Sequence, residues 1–246
     1  MSTHAGNPAS THGSSEDWVN RTRIFLSPIA APSILGLYGF FGATTMVGTH
    51  LAGWWGSSTS DLFVIFPFAL MFGGVAQFLA GMWSYRARDA IGTGIHGTWG
   101  SFWIGYGILY LLYALGVLAP APPGTPEPAF GMWFVVLAAI TMMGALASLG
   151  VSLGIFGVLS TLAVGSGFTA AGLWAGMTSL EVVGGWLFVI SAAIAWYVAS
   201  AMMVNSAMGR TVLPSGELSR AANIPGGHPV YPIEYPAGMP GSKVGQ

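Results

Sequence analysis

Uncharged apolar runs, each close to the roughly 20 residues that cross a bilayer as a helix, recur along most of this chain. Polar or Pro-rich breaks separate them, and they fall at 33–54, 62–85, 95–118, 131–149, 155–177 and 183–205. The fourth and fifth are the least obvious, because no charged residue occurs from 131 to 177. One helix over that length would reach roughly 70 Å at about 1.5 Å per residue, against about 30 Å of hydrocarbon. Two helices with a tight turn near LGVSLG (149–154) fit, and one does not. The pattern predicts an all-α integral membrane protein with six transmembrane helices over 33–206.

The charges bear on orientation. Arg21 and Arg23 precede the first run, Arg86 and Arg88 lie between the second and third, and Arg210, Arg220 and Lys243 follow the sixth. The loops after runs one, three and five hold only acidic residues, Asp61, Glu127 and Glu181. The positive-inside rule then predicts cytoplasmic N and C termini, which needs an even number of spans. Residues 1–32 read as a cytoplasmic tail, in which 16–28 is suited to the membrane surface through Trp18, Ile24, Phe25 and Leu26. Residues 207–246 form the second cytoplasmic tail, and after about 219 its Pro- and Gly-rich composition predicts disorder.

Composition narrows the function. Charged residues make up 6 % of the chain, far below the quarter or so of a soluble domain. A net charge of −1 excludes the basic footprint of a nucleic-acid binder. Cysteine is absent, so disulfide and thiolate chemistry are excluded. The stretch MSTHAGNPASTHGSSEDW lacks the basic start and apolar core of a signal peptide. No HExxH or paired-carboxylate site occurs, and Gly165-Ser166-Gly167 is preceded by Val164 rather than by the pattern of a serine hydrolase. The chain is expected not to be an enzyme and to need no cofactor or metal. Asn7-Pro8-Ala9 matches the aquaporin triplet but lies in the hydrophilic tail.

The segment GIHGTWGSFWIGYGILYLLY (94–113) combines the smallest and largest side chains. At about 100° per residue, Gly94, Gly97, Ser101 and Gly105 share one face. Trp99, Phe102, Trp103, Tyr106, Tyr110 and Tyr113 take the other. Small faces let helices approach closely in lipid. On periodicity alone, the small face is expected to pack on neighbouring helices, and the aromatic face to meet lipid or a partner subunit.

Four blocks resemble a known family. APSILGLYGF (31–40), with Pro32, Leu35, Gly36, Leu37 and Gly39, resembles the NPAPLGL-x-GF signature of the acetate uptake transporter family. FGGVAQFLAG (72–81), GTWGSFW (97–103) and AMGRTVLPSGE (207–217) resemble its later segments, in the same order. The resemblance implies six helices around a pore in each subunit, a homohexamer in the plasma (bacterial inner) membrane, and passage of acetate and related small carboxylates such as succinate. It also implies a pore constriction at Phe40, Trp99 and Leu162, with the glycine face of the third helix seating that helix. The chain departs from the signatures at Ala31, Ile34, Ser84 and Trp99, the last standing where the family has Tyr. A non-transporting receptor or scaffold signalling through the C-terminal tail is the alternative.

A carboxylate leaving water needs hydrogen-bond donors in exchange, and conduction favours weak sites in series. Thr44, Thr45, Gln77, Thr98, Ser101 and Thr161 are the candidates within the spans. Each Ser or Thr has a plainer alternative, bonding its own helix backbone, whereas a buried Gln77 amide demands a partner. No run carries an acid away from its ends; Asp89, Glu181, His50 and His96 sit near boundaries. The expected passage is channel-like, any proton moving with the acid itself.

Overall fold

The computed structural model describes residues 29–56, 59–122 and 124–218. The interfacial segment expected over 16–28, the Asn7-Pro8-Ala9 triplet and the disorder expected after 219 lie outside them.

Six helical elements occur among the described residues. Helix α1 is Pro32–Leu51, α3 is Ala90–Ala114, α4 is Pro128–Ser148, α5 is Leu153–Ala175 and α6 is Thr178–Met208. Helix α2 is continuous over 59–87, built as Thr59–Ala69, a π-helical stretch Leu70–Ala76, and Gln77–Ala87. The chain breaks between Ser148 and Leu153, where length alone demanded a turn. The only β pairing among the described residues is an isolated bridge between Ser152 and Glu217.

Local chemistry sets the helix ends. Pro32 and Pro128 open α1 and α4, where proline's missing N–H is no loss. Asp89 caps α3 by accepting from Gly92 N at 2.8 Å, and Ser152 caps α5 by accepting from Ile155 N at 3.3 Å. Gly176 and Gly209 stop α5 and α6 in the left-handed region at φ +64° and +61°. Within α2, Pro67 removes a donor from the ladder, and the helix widens into π turns three residues later. Gly73 in that stretch approaches so closely that a Cβ would meet Ala43 and Trp103 at 2.6 Å.

By length and hydropathy, Phe63–Ala87, α4, α5 and α6 qualify to cross a membrane. Helices α1 and α3 do not reach that hydropathy, because Gly, Ser, Thr and His dilute their apolar residues. Each helix packs against the next, and α6 returns onto α1, closing a ring whose loosest seam is α3–α4.

The faces of α3 are reversed from expectation. Gly94, Ser101 and Gly105 are exposed, and a Cβ on Gly94 or Gly105 would meet nothing within 4 Å. Trp99, Trp103 and Tyr106 are instead buried in the ring. Of the small face, Gly97 does meet a neighbour, Gly81 of α2, and two glycines outside that face complete the seat: Gly100 lies on the Phe78 backbone, and Gly107 lies on Leu70. Periodicity separates two faces correctly, but it cannot say which one turns inward.

Candidate functional site

Three cavities follow one another along the ring. Helices α1, α3 and α5 line all three, at successive heights. A cavity of about 170 Å³ is walled by Ser33 and Leu37 of α1, His96 of α3 and Leu159 of α5, with Asp89 and Glu217. Next comes a void of about 10 Å³ walled by Thr44, Trp99, Trp103, Leu162 and Phe188. Such a space holds about one water. Beyond it a cavity of about 270 Å³ is lined by His50, Tyr110, Tyr113, Thr169, Glu127 and Glu181.

Phe40, Trp99 and Leu162 are all buried, at 2 %, 1 % and 1 % exposure. The Phe40 and Trp99 rings meet edge to face at 6.3 Å, an arrangement favoured by their quadrupoles. Trp99 and Leu162 share the wall of the central void. The indole is held by a hydrogen bond from Nε1 to Thr141 Oγ1 at 2.9 Å. Phe134 and Phe188 continue the aromatic lining.

The polar candidates separate. Thr44 lies on the central wall, and its buried Oγ1 has no protein partner; Trp103 Nε1 on the same wall is likewise unpartnered. Gln77 is buried where α2 meets α1 beside Gly39, with Oε1 unpartnered. Thr45 Oγ1 is also buried without a partner, away from the three cavity walls. Thr98, Ser101 and Thr161 donate to their own helix, to Gly94 O at 2.7 Å, Gly97 O at 2.8 Å and Gly157 O at 2.7 Å. Thr98 and Ser101 line a lateral groove of about 730 Å³ between α3 and α4, outside the ring's axis.

The signature residues of α1 have distinct surroundings. Gly36 lies under the His96 ring, and Gly39 lies against the Phe72 carbonyl of the π-helical stretch. Leu37 lines the 170 Å³ cavity, whereas Leu35 is exposed. The segment after α6 folds back onto the ring. Asn205 Oδ1 accepts from Val212 N at 2.8 Å and Leu213 N at 3.0 Å, and its Nδ2 donates to Leu213 O at 2.7 Å. Leu153 N donates to Gly216 O at 2.8 Å, which delivers Glu217 to the cavity mouth. Burial pushes the Glu217 carboxyl up, Ser152 hydrogen bonding pulls it down, and the Asp89 charge adds to the rise. The sequence reading missed Thr141, Asn205 and the Ser33–His96–Asp89 group. A lone Asn within an apolar run was the available signal for Asn205.

The sequence profile of the GPR1/FUN34/yaaH family matches residues 20–220. The chain belongs to that family. Among the proteins similar to it is the succinate-acetate/proton symporter SatP of Escherichia coli strain K12. The two are 30 % identical over 190 residues, which span 77 % of this chain and 96 % of the relative. A more distant relative is the ammonia transport outward protein 2 of Saccharomyces cerevisiae, 27 % identical over 68 % of this chain and 59 % of the relative. The solved structure of the bacterial acetate channel SatP superposes with a TM-score of 0.68 at 28 % identity, covering 76 % of this chain and 98 % of that one.

Proposed function

We infer that this chain is a membrane transporter or channel for acetate and related small carboxylates, including succinate. The observation that carries the reading is the row of three cavities inside the ring, narrowest at the small void walled by Trp99 and Leu162, with the Phe40 ring set edge to face against Trp99. The similarity to SatP, a succinate-acetate/proton symporter and acetate channel by its names, supplies the substrate class. A receptor or scaffold has no need of cavities in series along one axis.

Six spans, cytoplasmic termini, a plasma-membrane location and a homohexamer complete the proposal. The closed six-helix ring and the distribution of Arg and Lys support the first two. The protein acts without catalysis or cofactor. Both wide cavities are lined by carboxylates, Asp89 and Glu217 at one end and Glu127 and Glu181 at the other, and neither by Lys or Arg. Such mouths repel an anion. The central wall offers only neutral groups, among them the unpartnered Thr44 Oγ1 and Trp103 Nε1. The permeant therefore crosses the constriction as the neutral acid, carrying its own proton.

Labelled-acetate uptake into proteoliposomes tests the reading, with empty vesicles, Trp99→Ala, and succinate and lactate as competitors. Uptake whose rate or tolerated acid size changes with Trp99→Ala supports an acetate pore. Folded protein that carries nothing beyond empty vesicles overturns it.

A further inference from the structure

The wall of the 170 Å³ cavity holds a buried imidazole that no part of this passage uses. His96 is 4 % exposed. Its ring lies over Gly36, where a Cβ would come within 2.5 Å of Cε1, so only glycine leaves room for it. Ser33 Oγ donates to Asp89 Oδ2 at 3.2 Å, and His96 Nε2 lies 3.3 Å from the same Ser33 oxygen. A carboxylate can only accept, so the Ser33 proton is committed to Asp89. The Ser33 oxygen is then left to accept from Nε2–H, which fixes the neutral tautomer. The lone pair falls on Nδ1, and Nδ1 is buried without any protein partner.

We propose that His96 Nδ1 is a proton-transfer site for a carboxylic acid in this cavity, with Ser33 and Asp89 holding the opposite nitrogen. This rests on the transport reading above and gives it a chemical step. A neutral acid that has crossed the constriction gives its proton to Nδ1. The O–H bond breaks, the N–H bond forms, and the electron pair stays on the carboxylate oxygen. The imidazolium faces the Asp89 charge through Ser33, and the new carboxylate is left beside it. Loss of the proton from Nδ1 to water restores the neutral ring, and the sequence runs equally in reverse.

The charged groups around the ring are few. Asp89 stands at the start of α3, and Glu217 stands on the C-terminal segment across the cavity. The walls from α1, α4, α5 and α6 carry only Ser and apolar side chains. Arg86 and Arg88, at the end of α2, are exposed.

The test reads the histidine and the flux separately. In detergent-solubilised full-length protein with isotope-labelled histidine, one imidazole signal should titrate with a midpoint that rises when acetate is added. It should not respond to acetamide, the neutral isostere. The signal should vanish in His96→Gln, and its midpoint should fall in Asp89→Asn. In proteoliposomes, His96→Gln should slow acetate on the order of a hundredfold, the low end for a positioned proton-transfer group, while acetamide flux is unchanged. A His96 signal indifferent to acetate, or equal losses of acetate and acetamide flux in His96→Gln, would overturn the proposal. Natural protein that carries neither solute would instead overturn the transport reading, with the acetate-responsive histidine still deciding whether the site exists.

Discussion

Trp99 on α3 donates its indole proton to Thr141 on α4 across 2.9 Å, and so a buried indole on the wall of the central void is held across the loosest seam of the ring. Trp99→Phe keeps an aromatic ring but strands the buried Thr141 hydroxyl. The expected loss is about 1–2 kcal/mol, the scale of an interhelical hydrogen bond in a membrane. Thr141→Val should cost a similar amount. A double variant no less stable than either single one would confirm the coupling in a melting experiment.

Gly36 is the floor beneath His96. Gly36→Ala would push a methyl group into the imidazole, and overpacking of this kind costs about 1–3 kcal/mol. Adding His96→Ala should recover most of the loss. Thermal melts of the single and double variants check this, and an unperturbed Gly36→Ala would mean the ring does not lie there.

Asn205 ties the C-terminal segment to the ring through three hydrogen bonds. Asn205→Ala leaves the Val212 and Leu213 amides and the Leu213 carbonyl, on a partly exposed segment, to find water. The segment 211–218 should then become a site of proteolytic cutting, with a stability loss of about 1–3 kcal/mol. Limited proteolysis followed by mass mapping reads this directly.

Glu217 gives a pH signature. Its carboxyl is raised above the ordinary value of 4.5, chiefly by burial. The folded protein therefore holds that proton more tightly than the unfolded chain. The stability this contributes is fully present below 4.5 and is lost as pH rises through the raised value. Melting temperature should fall across this window in the natural protein, and Glu217→Gln should flatten that part of the curve.

Trp99→Ala should do more than destabilise. Removing a buried Trp costs about 3–5 kcal/mol, and it also enlarges the central void that Trp99 walls. Bulkier acids should then compete with acetate better than they do against the natural protein. Competition assays with succinate and lactate measure that change.

The helices were legible because their cause is local. Apolar runs of bilayer length, a proline at a first turn, and glycine after a last one act within a few residues of themselves. The break near Ser148 followed from length alone. The orientation of α3 was not legible. Its small and aromatic faces are separated in the sequence, but which face turns inward depends on the neighbours, and Gly81, Phe78 and Leu70 receive α3 at Gly97, Gly100 and Gly107. The site divides in the same way. Phe40, Trp99 and Leu162 came from resemblance, and Thr44 came from its type and position. Thr98, Ser101 and Thr161 have the same type and similar positions, yet their hydroxyls turn to their own backbones.

The class and the family blocks could be read from contiguous residues, and so could the rough position of each helix, although the ends were misplaced, as in the third helix, expected over 95–118 and found over Ala90–Ala114. Only the tertiary structure decided which polar atoms are left without partners. Ser33, Asp89 and His96 meet because α1 and α3 cross at Gly36, with Ser33 and His96 63 positions apart. A hydrogen bond between residues so distant has no local signal, for its geometry is set by packing of the whole ring.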